Sequence, residues 1–147
     1  MTERKPVQVK KQKVLFLCTG NSCRSQMAEA IVNARMGEKW QAFSAGTRPA
    51  GYVHSLALAA LAEIGIDHQG RSKLADEYRD VDFALVVTVC DSAAEECPVW
   101  LGQGRRVHHS FPDPAKANGT EDEIMQVFRS VRDAIEGYTS QLLEQFQ

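Results

Sequence analysis

Cys18 and Arg24 are separated by five residues in the stretch Cys18-Thr19-Gly20-Asn21-Ser22-Cys23-Arg24-Ser25. That spacing suits a thiolate attacking a tetrahedral oxyanion. A tight loop between the two can turn its backbone N–H groups inward as a cradle. The planar fork of Arg24 can clamp two oxygens. The same positive field favours the thiolate of Cys18 over the thiol. Ser25 can donate its hydroxyl to that thiolate, and it is also placed to cap a following helix. Gly20 is expected to let the backbone turn, and Asn21 to lock the loop through its side chain. The expected oxyanion-binding set is therefore Thr19, Gly20, Asn21, Ser22, Cys23 and Arg24. Cys23 reads as packing rather than as a second nucleophile. A cysteine and an arginine fall at this spacing by chance often enough. The glycine, asparagine and serine between and after them weigh against chance here.

Cys90 and Cys97 form a second group, with six residues between them in VTVCDSAAEECPVW. Their residue types leave three chemistries open: a redox pair, two inert core thiols, or a zinc site completed by His108 and His109. The spacing does not match a short cysteine knuckle, which counts against zinc, and no metal is expected. The acidic, proline-interrupted segment looks exposed, which counts against core thiols. No apolar segment suited to a secretory signal precedes the first strand, so a reducing, cytoplasmic setting is expected and a static disulfide is not. Asp113-Pro114 lies in HHSFPDPAKANG. Alone it is an ordinary turn aspartate. His54, His68, His108 and His109 are read as structural or solvent-facing.

These groups need a scaffold, and the apolar pattern supplies one. Residues 14–17 (VLFL) read as a buried parallel strand ending at Cys18. A helix follows from Ser25, with Gly37 as its stop. Residues 40–45 read as a second strand and 55–64 as a helix closed by Gly65. Residues 83–89 (FALVVTV) are the clearest strand, ending beside Cys90, and 106–108 a weak fourth. Residues 122–146 form the strongest helix, with the stripe Ile124, Val127, Phe128, Val131, Ile135, Tyr138, Leu142, Phe146. Strands alternating with helices predict a doubly wound α/β domain with a parallel sheet. In such sheets functional groups gather at the carboxyl ends of strands, where Cys18, Cys90 and Asp113 all fall. The chain has 147 residues, enough for one domain, and a formal net charge of −2. Nothing global points to nucleic acid, so an anion site must be local. No apolar run approaches the roughly 18 residues of a membrane span. Residues 1–13 read as a flexible basic tail and 14–147 as the single domain.

The stretch CTGNSCRSQMAEA resembles the signature of the low-molecular-weight tyrosine phosphatases and their thioredoxin-coupled arsenate-reductase relatives. The resemblance runs from Val14 to the last helix. Gln26 suits the reductases, because the phosphatases usually carry proline there. The resemblance implies a three-layer α/β domain with a four-stranded parallel sheet. It implies that Cys18, Cys90 and Cys97 relay a disulfide, with arsenate as substrate and phosphate or sulfate as its mimics. Reducing equivalents would come from thioredoxin, with no bound cofactor. It makes Asp113 the general acid. Ala115 stands where the phosphatases often place an aromatic residue, which favours a small inorganic oxyanion. Asn21, Glu29 and Ser44 match three potassium-ligand positions of some reductases. The fourth, usually aspartate, is Lys73, so its ammonium is expected to occupy the cation position and pair with Glu29. Neighbouring strand ends lie about 5 Å apart, close enough for a Cys18–Cys90 disulfide. A helical run of eight residues would hold Cys90 and Cys97 about 10 Å apart, so 91–96 is expected to unwind on oxidation. The rival readings are a tyrosine phosphatase using Cys18, Arg24 and Asp113, and a module that binds phosphate without turnover. A monomer is the default.

Overall fold

The computed structural model describes residues 10–91, Trp100 and residues 102–146. Most of the basic tail, together with Cys97 and the greater part of the 91–96 segment, lies outside the described residues.

Strand β1 (Gln12–Cys18) is the centre of the sheet. Its VLFL run is fully buried on both faces, which is why it reads as a continuous apolar run rather than an alternating one. Val14, Phe16 and Cys18 join one apolar cluster, Leu15 and Leu17 the other. Strand β2 (Trp40–Gly46) pairs with β1 on one side, from Gln12↔Trp40 to Cys18↔Gly46. Strand β3 (Leu85–Thr88) pairs on the other, and β4 (Arg105–His108) completes a four-stranded, all-parallel sheet in the order β2-β1-β3-β4. The strand order therefore reverses at β1. The connections leaving β1 and β3 diverge, opening a crevice at their carboxyl ends. By the regular fold of the chain, the loop after Cys18 lies in that crevice.

Helix α1 (Arg24–Arg35), α2 (Ser55–Glu63) and α3 (Glu121–Gln145) all contribute to the larger cluster. Helix α3 buries Phe128, Val131, Ile135 and Leu143. Truncating a fully buried residue such as Phe128 to alanine would cost about 3–5 kcal/mol. A capping box between Thr120 and Glu123 starts α3 one residue before the apolar pattern suggests. Arg132, almost fully buried, ties α3 to α2 by donating to Ala60 O at 2.8 Å and to Glu63 Oε1 at 2.9 Å. Hydrogen bonds from Arg129 and then Arg132 hold the Glu63 carboxyl down at about 2. The opposite face of the sheet is covered by Phe43, Tyr78, Phe83 and Trp100, with Tyr78 on a short 3-10 turn, Ala75–Tyr78.

Strand β3 is shorter than the apolar run 83–89. Phe83 N–H turns back to Val81 O at 3.1 Å, which takes the start of the run out of the ladder. Hydrogen bonding to β1 still extends past the strand, through Ala84 N–H to Lys13 O and Val89 N–H to Leu17 O. Among the described residues no helix is long and apolar enough to cross a membrane.

Candidate active site

The loop from Cys18 to Arg24 is held from outside by its carbonyl groups. Thr19 O accepts from Arg48 N–H at 3.0 Å, Gly20 O from Ala50 N–H at 2.9 Å, and Ser22 O from His54 N–H at 3.0 Å. In a trans peptide the N–H points opposite to the C=O. The amides of Gly20, Asn21 and Cys23 therefore face inward, as an oxyanion cradle requires. Gly46, the last residue of β2, forms the floor. A Cβ there would collide with Thr19 O and crowd Cys18 O at 3.0 Å and Asn21 N at 3.1 Å. This close approach was not foreseen from the sequence.

The left-handed residue of the loop is Asn21, with φ +49°, not a glycine. Asparagine tolerates that region better than most side chains, and here its side chain is satisfied throughout. Its Oδ1 accepts from Lys73 N–H at 2.8 Å and Gln26 Nε2 at 3.0 Å, while its Nδ2 donates to Ser25 Oγ at 2.8 Å. Contrary to expectation, Ser25 does not cap α1. Cys23 occupies the cap position without a side-chain bond, and α1 begins at Arg24. The Ser25 hydroxyl is committed elsewhere: it lies 2.8 Å from Cys18 Sγ. Having accepted from Asn21, it is left to donate to the sulfur.

Arg24 is 3% exposed and emerges from the first turn of α1. Its Nη1 donates to Phe111 O at 3.2 Å and its Nη2 stands 3.7 Å from Asp113 Oδ2. Asp113 reaches the site because its Oδ1 caps the 3-10 turn Pro114–Lys116, accepting from Ala115 N–H at 3.0 Å. Cys18, Cys23, Arg24 and Asp113 line one cleft of about 180 Å³, with Ala50, Tyr52, His54 and Ala115 at its walls. That is smaller than the roughly 300–1,000 Å³ of a site for a large organic ligand. A groove of about 730 Å³ opens at the other end of the sheet between Lys11, Trp40 and Phe146. No cysteine lines it, so chemistry rather than size identifies the site.

Cys23 is 4% exposed and free. Burial above all, then the charges of Asp113 and Cys18, pushes its thiol up to about 12, so it stays protonated. Cys90 is fully buried just past β3 and belongs to the same apolar cluster as Cys18. It is disulfide-bonded. The pairing Leu17↔Thr88 and the bond from Val89 N–H to Leu17 O bring the end of β3 alongside Cys18.

The cation-site residues also come together. Lys73 Nζ lies 3.7 Å from Glu29 Oε1 and donates to Ser44 Oγ at 3.4 Å and Arg71 O at 2.6 Å. Ser44 Oγ donates to Glu29 Oε1 at 3.1 Å. Burial lowers the Lys73 pKa, and Glu29 opposes that shift. His68 was expected to be structural or solvent-facing. It is mostly buried, 3.7 Å from Glu29 Oε2 and 2.8 Å from Gln26 Oε1.

The family model for low molecular weight phosphotyrosine protein phosphatase matches residues 13–147. An arsenate reductase from Halalkalibacterium halodurans is 47% identical over 126 residues, covering 85% of this chain and 90% of that protein. A solved arsenate reductase in a phosphate-binding state superposes with a TM-score of 0.72 at 27% identity, over 92% of this chain and 99% of that one. A low molecular weight protein tyrosine phosphatase from T. tengcongensis gives the same TM-score, identity and coverage.

Proposed function

The chain belongs to the low molecular weight phosphotyrosine protein phosphatase family, and from that membership we propose that it reduces arsenate to arsenite with its own thiols. The observation that carries the reading is the second buried cysteine. Cys90 lies just past β3, whose end runs alongside the end of β1 at Cys18, and it shares one apolar cluster with Cys18. A phosphatase that only hydrolyses esters has no use for a second sulfur there. The reductase relative at 47% identity supports the same reading.

Arsenate enters the cradle, with its oxygens on the inward amides and on Arg24. The Cys18 thiolate attacks arsenic. Asp113 protonates the departing oxygen, which leaves as water, and a Cys18–arsenate adduct forms. The Cys90 thiolate then attacks Cys18 Sγ. The new S–S bond forms as the S–As bond breaks, and its electron pair passes to arsenic, reducing As(V) to As(III). Cys97 next attacks Cys90, freeing Cys18 and leaving a Cys90–Cys97 disulfide. A thioredoxin-like dithiol protein reduces that bond by exchange. Adjacent strands bring Cα atoms to about 5 Å, within the 4.4–6.8 Å a disulfide spans. Lys73 serves as the fixed cation beside Glu29.

The tyrosine-phosphatase reading shares Cys18, Arg24 and Asp113, and the solved phosphatase matches the fold equally well. The discriminating experiment follows NADPH oxidation with arsenate, thioredoxin and thioredoxin reductase. Wild type is expected to turn over continuously, whereas Cys90→Ser and Cys97→Ser stop within one turnover. Rapid, equal hydrolysis of an aryl phosphate by all three, without NADPH oxidation, would establish the phosphatase instead.

A further inference from the structure

Gln26 directly follows the loop, is fully buried and does not line the cleft. Its amide orientation is determined by its partners. Nε2 lies 3.1 Å from Asn21 O, 3.0 Å from Asn21 Oδ1 and 2.8 Å from Arg71 O. Backbone carbonyls only accept, and Asn21 Oδ1 is identified as oxygen because Lys73 N–H donates to it at 2.8 Å. The Gln26 NH₂ therefore faces three acceptors, and its Oε1 must face His68 Nε2 at 2.8 Å. Nε2 of His68 is thereby the ring nitrogen that carries hydrogen. Burial, opposed by Glu29 and reinforced by Lys73, lowers the His68 pKa, consistent with a neutral ring.

Gly70 makes room for this contact. A Cβ on Gly70 would collide with both His68 Nε2 and Gln26 Oε1. Gly70 is not among the positive-φ residues, so space and not backbone freedom demands glycine here. The chain of bonds continues inward. Gln26 grips Asn21 at two atoms, Asn21 holds Ser25 Oγ at 2.8 Å, and Ser25 Oγ lies 2.8 Å from Cys18 Sγ. Asn21 is the only non-glycine with positive φ among the described residues, so something must hold it there.

We propose that Gln26 and His68 are positioning residues for Cys18. Seated against each other over Gly70, they hold Asn21 in its left-handed conformation and so aim Ser25 at the sulfur. The proposal rests on the reading of Cys18 as nucleophile. Its test measures Cys18 alkylation by iodoacetamide across pH, with and without arsenate, by mass spectrometry of the Cys18 peptide in reduced protein. Selective labelling of wild-type Cys18 that arsenate suppresses upholds the nucleophile reading. If that fails, the proposal falls with it. In Gln26→Met, the pH of half-maximal labelling should rise. The rate at pH 7 should fall about tenfold, and protection should need roughly tenfold more arsenate. Gly70→Ala and His68→Ala, which leave Gln26 in place, should move both readouts the same way even if Gln26→Met does not fold. His68→Gln, which can still offer an N–H to Gln26, should restore much of the loss. Variants with lowered Tm whose Cys18 profile and arsenate protection match wild type would show mere structural support and overturn the proposal.

Discussion

The carboxyl ends of β1 and β3 look alike in sequence and differ in construction. Each is an apolar strand running into a cysteine that is nearly or fully buried. After β1 the chain enters a loop whose polar groups are paired, from Thr19 O and Ser22 O outside to Asn21 and Ser25 within. Cys18 is free, with a hydroxyl at 2.8 Å. After β3, Cys90 is disulfide-bonded and surrounded by the apolar cluster. On the proposed function, the first end holds an anion and presents Cys18 to it. The second offers a sulfur with no such anion cradle among its described surroundings. On the proposed mechanism, nucleophile and relay thiol would then sit at the ends of adjacent strands of one sheet without competing for substrate.

The largest effect that tests this contrast should come from the anion-binding end. Arg24→Lys keeps the charge and loses the fork, so kcat/KM for arsenate should fall about a hundredfold or more. The expected sign for Cys90 is different: Cys90→Ser should leave arsenate protection of Cys18 intact while abolishing turnover. If Cys90→Ser weakens arsenate binding as much as Arg24→Lys does, the two ends are not separate in role.

Cys23 sharpens the contrast from inside the loop. Its thiol is raised from 9.0 to about 12, so the folded protein holds this proton where the unfolded chain has lost it. Stability tied to that thiol is complete below pH 9 and declines as pH rises toward 12. Cys23→Ala should keep arsenate turnover within about twofold and flatten the alkaline loss of Tm. A large loss of kcat at neutral pH would give Cys23 a chemical role that its protonated state argues against. The smallest effect concerns Lys73. Exchanging potassium for sodium at matched ionic strength should leave kcat/KM unchanged, because a buried ammonium already lies 3.7 Å from Glu29. Activation by potassium would contradict that assignment.

The anion loop could be read from sequence because its chemistry is local. Cys18, Arg24 and Ser25 fall within eight consecutive residues, and an apolar run before them and a helical pattern after them fix their surroundings. The parallel α/β sheet followed from the alternation of strands and helices, whereas the order β2-β1-β3-β4 did not. The supports of the loop could not be read, because each is a steric or hydrogen-bonding relation across the fold. Gly46 is a floor only once β2 lies beside β1. Gly70 is a spacer only once His68 meets Gln26. Ser25 has the residue type of a helix cap, yet the sulfur and Asn21 compete for its hydroxyl and win. Gly20 looked like the turning point, but the left-handed residue is Asn21, one position later, whose Oδ1 accepts from Gln26 and Lys73 across the fold.

The most direct measurement of the central claim is a single turnover without external reductant. Protein fully reduced and freed of dithiothreitol is mixed with excess arsenate, and arsenite is counted per chain. Wild type should yield about one arsenite per chain as its thiols supply two electrons, and Cys90→Ser should yield none. An unchanged arsenite yield in Cys90→Ser, or no arsenite from wild type while Cys18 is fully protected by arsenate, would contradict a reductase built on paired strand-end thiols.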